Sequence, residues 1–185
     1  MEENEIKIGD QTWTTKNLDV STYKNGDVIP QVQDEEEWVN LSTGAWCYYE
    51  NDTENGTTYG KLYNWCAVND PRGLAPKGYH IPTDAEWTIL TESLGDEAGR
   101  KMKSISGWDD DGNGTNTSGF AGLPGGWRFS NGGFGNIGAY GYWCSSSLNF
   151  TYLAWDRYLC SNYCDVNIYD YYFERYGFSV RCLRD

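Results

Sequence analysis

The stretch GYHIPTDAEWTILTESLG, from Gly78 to Gly95, decides how the chain is read. Thr83-Asp84-Ala85-Glu86 is a capping box, in which a threonine hydroxyl and a glutamate three residues later satisfy each other's free backbone N–H groups. Pro82 precedes it, and the apolar Trp87, Leu90 and Leu94 follow at helical spacing. Gly95 ends that helix, and Asp96 opens another turn through Met102. Upstream, EIKIGDQTWTTKNLDV reads as strand because Ile6, Ile8 and Trp13 alternate with polar residues. GAWCYYEND is a second, aromatic strand candidate. In YGKLYNWCAVND, Leu62, Trp65 and Cys66 stand at i, i+3 and i+4, which predicts a short amphipathic helix stopped by Asn69-Asp70-Pro71. Downstream, 12 of the 35 residues from Gly107 to Gly141 are glycine, which predicts long ordered loops rather than helix. Trp108, Phe120, Leu123, Trp127, Phe129 and Phe134 punctuate that stretch, so it still packs. From Tyr142 to Asp185 the chain is aromatic and β-rich, ending in the strand GFSVRCLRD. Helices in the middle and strands at both ends predict one α+β domain over residues 1–185 with its terminal strands paired.

Charge and composition remove several functions. The net charge is −13, and residues up to Glu54 hold 13 acids against 3 bases. Phosphate binding needs clustered Lys and Arg, so no nucleic-acid partner is expected. No apolar run approaches a bilayer span, so no membrane insertion is expected either. The N-terminus MEENEIKIGD lacks a basic-then-apolar signal region. The chain is therefore expected to be either not exported or a mature, trimmed form. A single histidine, His80, cannot by itself build a multi-histidine metal centre. Its place just before the helix start favours a packed or capping imidazole. The six cysteines (Cys47, Cys66, Cys144, Cys160, Cys164 and Cys182) contain no CxxC pair, and their aromatic neighbours suit buried thiols.

The ordered strings IGDQTW…NL, YGKLYNW, GYHIPTDAEW, GLPGGWR, GYWCSSS and GFSVRC together resemble the Fibrobacter succinogenes major paralogous domain. That family is related to the formylglycine-generating branch of the C-type lectin fold. The resemblance implies a C-type-lectin-like fold with paired terminal strands, two main helices and long loops that carry recognition. It also implies display on a cell surface or a phage tail. Some members are variable proteins of diversity-generating retroelements, whose template adenines are copied with errors into the 3′ end of the gene. Lys, Gln, Glu, Met and Trp are unreachable from the asparagine codons so altered.

The segment CSNYCDVNIYDYYFERY, Cys160 to Tyr176, fits such diversification. Of its 17 residues only Glu174 lies outside the reachable set. Six tyrosines fall between Tyr158 and Tyr176, where the 15 Tyr in 185 residues predict about 1.5. They alternate with Asn, Asp and Cys in no hydrophobic period. A core face would favour Val, Ile and Leu instead. Exposed tyrosine offers rigid contact area with a hydroxyl, the property that antibody loops exploit. The expected function is non-enzymatic binding of a protein ligand on a host or neighbouring cell surface. The residues expected to touch it are Tyr152, Asp156, Tyr158, Tyr163, Asn167, Tyr169, Asp170, Tyr171, Tyr172 and Tyr176, in a region spanning Leu148 to Tyr176.

A non-diversified surface or adhesive domain would share the fold. Asp109, Asp111 and Asn113, followed by Gly114, match the first half of a calcium loop, but Phe120 stands where its glutamate belongs. No cofactor is expected beyond this candidate calcium loop. The calcium-dependent sugar motifs of classical lectins do not occur, and Trp143-Cys144-Ser145 stands where Trp-Asn-Asp would be. Cys160 and Cys164 offer two soft ligands for Cu(I), the pair that a formylglycine-generating oxidase would need.

Overall fold

The computed structural model describes the backbone of residues 4–150 and 153–185, and their side chains except at 149, 150, 153, 154 and 169–173. The fold is α+β, with five α-helices and two sheets among the described residues. β1 (Glu5–Ile8) and β2 (Gln11–Thr14) form a hairpin with Ile8 opposite Gln11. Its two-residue turn puts Gly9 at φ 59°, where a side chain would be strained. Helix α1 (Glu35–Val39) is capped by Asp34 and carries three glutamates in its first turn, where the helix dipole favours them. β3 (Trp46–Cys47), a 3-10 turn (Tyr49–Asn51) and α2 (Thr53–Tyr59) follow.

The helix expected over YGKLYNWCAVND is only half there. Leu62–Asn64 is strand β4, and α3 covers Trp65–Val68 alone. Gly60 leaves helical space at φ 76° and ψ −162°. The Asn64 side chain then accepts the Ala67 N–H, which caps a helix that starts after it. β5 (Tyr79–His80) leads to α4 (Asp84–Leu94), where the capping box forms as expected and Gly95 follows at φ 63°. α5 (Ala98–Met102) adds the further turn. The glycine-rich stretch is not all loop, because β6 (Gly125–Arg128) and β7 (Phe134–Ile137) run inside it. A Cβ on Gly126 would lie 2.5 Å from the Gly135 carbonyl, so glycine here lets β6 and β7 approach. β8 (Tyr140–Phe150), β9 (Leu153–Cys160) and β10 (Asn167–Phe173) form a long ribbon. GFSVRCLRD divides into two short strands of different sheets, β11 (Gly177–Phe178) and β12 (Leu183–Arg184).

The first sheet runs β1-β2-β12-β5, so the terminal strands do pair, with Leu183 opposite Trp13. The second runs β10-β9-β8-β6-β11-β4-β3, with β7 on β6. β8 separates two aromatic clusters by ordinary strand alternation. On one side Trp143 joins Trp13, Trp87 and Phe120, with ring centroids 4.7–6.0 Å apart. On the other, Tyr142 and Cys144 join Trp127 and Phe178. No helix among the described residues is long and apolar enough to cross a membrane.

His80 clasps the start of α4 to the C-terminus. Its Nε2 lies 2.9 Å from Glu86 Oε1 and its Nδ1 2.9 Å from Asp185 Oδ1. A neutral imidazole can donate from only one nitrogen, so two carboxylates favour the imidazolium. Burial pulls its pKa down, but the hydrogen bonds to Asp185 and Glu86 outweigh that and hold it above 6.5. Burial pushes Glu86 up, yet bonds from Thr83 and His80 hold its carboxyl below the usual value. The histidine's stabilisation is therefore complete below about pH 6.5 and lost as pH rises through the folded-state value. The glutamate's is lost as pH falls through its own lowered value. An NMR titration is expected to place the His80 pKa above 6.5. His80→Gln should then remove the fall in unfolding free energy that begins above about pH 6.5. A measured pKa at or below 6.5 contradicts the clasp.

Candidate ligand-binding surface

The β8–β9–β10 ribbon is antiparallel, and β10 closes one end of the strand order. β8 is tied into the framework where Gly126 of β6 pairs with Gly141. Asp156 of β9 stands opposite Cys144 and Tyr169 in backbone register. Between Tyr169 and Tyr172 the register slips by one residue, a bulge in β10. Arg157 points to the opposite side from Asp156 and donates to the Asp84 carboxylate at 2.6 Å and to Thr88 Oγ1 at 3.3 Å. That contact pins β9 against the first turn of α4.

The expected contact residues fall into separate groups. Tyr163 is 62% exposed, at the turn between β9 and β10. Asn167 is half-buried, with its amide 3.4 Å from the Asp165 carbonyl. Tyr158 and Tyr176 are half-buried at the rim of the Trp127 cluster. The Tyr158 ring lies 5.4 Å from that of Tyr142, and burial pushes its hydroxyl pKa up. Tyr176 stacks on Phe178 at 5.9 Å and also meets Trp127 at 5.5 Å. Its ring thus supports the core as well as facing outward. Asp156 is 1% exposed, so the expectation that it touches ligand directly is corrected. Strand alternation turns it into the sheet's packed face beside Cys144 and Tyr158. Tyr152 lies outside the described residues, as do the side chains of Tyr169, Asp170, Tyr171 and Tyr172, whose backbone forms β10.

The exposed set includes residues not named among the expected ligand contacts. Asn162, Cys164 and Asp165 are exposed beside Tyr163, and Ile168 and Leu148 are exposed farther along the ribbon. Equally unforeseen are the framework groups that hold this segment. Lys103, only 3% exposed, donates from Nζ to the carbonyls of Cys160 (3.0 Å), Ser161 (3.3 Å) and Tyr163 (3.1 Å). Burial pulls its ammonium below the ordinary lysine range. The Arg100 N–H donates to the Cys164 carbonyl at 2.7 Å, and the Ser161 N–H donates to Ala139 at 2.9 Å. At the far end, the Trp65 N–H reaches the Glu174 carbonyl at 2.9 Å and the Trp38 indole reaches that of Arg175 at 2.8 Å. None of these contacts uses a side chain of the segment, so no periodicity in the sequence marks them.

Asn113 Oδ1 accepts the Trp108 N–H at 3.0 Å, and Asp110 and Asp111 both take positive φ, so Asp109 to Asn113 is a turn. Among the described residues no group of three or more His, Cys, Asp or Glu is arranged to hold a metal ion. Cys160 is buried and Cys164 exposed.

A sequence model of the Fibrobacter succinogenes major domain matches residues 6–184. Neither the search of curated proteins nor that of solved structures finds a match.

Proposed function

We propose, for a chain that belongs to the Fibrobacter succinogenes major domain family, a non-enzymatic ligand-binding protein. It displays a tyrosine-rich diversified surface on a C-type-lectin-like scaffold, as a variable protein of a diversity-generating retroelement. The observation that carries the reading is a division of labour along residues 160–176. Asn162, Tyr163, Cys164, Asp165 and Ile168 present exposed side chains, while the framework holds the same segment by its main chain. A surface that must accept many residue types needs that separation, because a close-packed core responds to a single added or lost methylene.

The paired terminal strands support the proposed scaffold, since they return both chain ends to one sheet. Exposed tyrosine among small polar neighbours supports a protein ligand, on a host or neighbouring cell, met from a cell surface or a phage tail. The proposal assigns no cofactor. The test is the gene's surroundings. A neighbouring reverse transcriptase and a near-repeat template, with adenines aligned to codons of this segment, are expected. If both are missing, the retroelement reading fails and a fixed adhesive domain takes its place.

A further inference from the structure

We infer that Lys103 is the positioning residue of a recognition turn, Asn162 to Asp165, and that the four side chains of this turn determine specificity. The inference rests on the binding reading above and narrows it to named positions. Every bond that fixes the turn from α5 and its C-terminal end is made to a carbonyl. Lys103 has three N–H donors and three carbonyl acceptors, those of Cys160, Ser161 and Tyr163. Arg100 supplies a fourth donor, to Cys164. A carbonyl is present whatever side chain the residue carries, so these bonds survive substitution. The three donors of one ammonium on a flexible stem can serve three carbonyls that meet at a single point.

Close packing marks where the tolerant stretch begins. A Cβ on Gly112 would lie 2.5 Å from Ser161 Cα, and one on Gly99 would lie 2.4 Å from the Asp165 carbonyl oxygen. Gly99 thus lets α5 lie directly against the turn's backbone, and Gly112 does the same for Ser161 just before it. Cys160 and Ser161 are themselves buried and count as framework, although they open the run of reachable residues. From Asn162 to Asp165 all four side chains are exposed. The turn can therefore change its chemistry without changing its course, and Tyr163 is its aromatic anchor in this chain.

Amide hydrogen exchange on the full chain tests this without any ligand. Three proteins are compared, namely the native chain, Lys103→Met, and a variant with Asn162, Tyr163, Cys164 and Asp165 all replaced by Ser. The amides read are those of Arg100, which bonds Cys164 in the turn, of Ser161, which ties the residue before the turn to Ala139, and of Leu18, which bonds Val180 far away. In the serine variant, Arg100 and Ser161 should exchange within about threefold of native. In Lys103→Met they should exchange about tenfold faster or more, with Leu18 unchanged. If the serine variant itself loses protection about tenfold, the turn's own side chains hold it and the inference is overturned. Native protection in Lys103→Met overturns it too. Should Lys103→Met fail to fold, the serine variant decides alone, retained protection supporting the inference and lost protection overturning it. A gene without diversification would undo the binding reading and leave this result standing.

Discussion

Arg181→Met is expected to cost the fold about 4 kcal/mol or more, because it strands several buried acceptors at once. The guanidinium is wholly buried on the Phe120 ring, 4.5 Å from its centroid. It donates to Asn17 Oδ1 at 2.7 Å, to the Thr14 and Phe120 carbonyls at 2.8 Å, and to Ala121 at 3.1 Å. Asn17 Oδ1 also accepts the Trp143 indole at 2.9 Å, and its amide donates to the Tyr59 carbonyl at 2.8 Å. Terminal hairpin, α2, β8 and the C-terminal segment thus meet at one node. Methionine matches the aliphatic stem but offers no donor, and each buried acceptor that loses its partner costs roughly 1–3 kcal/mol. Against a net stability of about 5–15 kcal/mol, that threatens folding. Urea unfolding measures the loss, and Arg181→Lys should recover only part of it. A loss under about 1 kcal/mol for Arg181→Met contradicts the node.

The features legible in the sequence are those written in neighbouring residues. Thr83 and Glu86 are three apart and specify their helix start unaided. The stretch around Ile6, Ile8 and Trp13 reads as a single strand, but Gly9-Asp10 turns it into a hairpin of two. Leu62 misled because its spacing to Trp65 is helical, whereas β4 pairs with β3 on one side and β11 on the other. Burial from both faces hides a strand's alternation. In the ribbon, composition pointed to the right segment but not to the fate of each ring. Tyr163 and Tyr176 look alike in sequence, yet one is exposed and the other stacks on Phe178. Lys103 was invisible because its partners lie some sixty residues away and are carbonyls, which carry no residue signature.

Trp87→Ala should destabilise the protein by about 3–5 kcal/mol. The indole is fully buried, 4.7 Å from the Trp13 ring and 5.9 Å from Phe120, at the meeting of α4 with the terminal hairpin. Its Nε1 has no hydrogen-bond partner among the described residues, so packing carries the contribution. Trp87→Phe should therefore lose less than about 2 kcal/mol, keeping most of the ring and removing a donor that bonds nothing. Urea unfolding of the two variants separates these expectations. An alanine loss under about 1 kcal/mol, or equal losses for Phe and Ala, contradicts the packing role.

Sequencing this gene from related strains tests most directly whether the ribbon is a diversified binding surface. Differences should cluster between Leu148 and Tyr176, at codons matched by template adenines, and be densest at 162–165 and 168–172. Asp156, Arg157, Cys160 and Ser161, buried in the ribbon's base, should stay constant, as should Gly99, Lys103 and Gly112, which grip the turn. Differences spread evenly along the chain, or concentrated in the gripping residues, would contradict a surface that varies on a scaffold that does not.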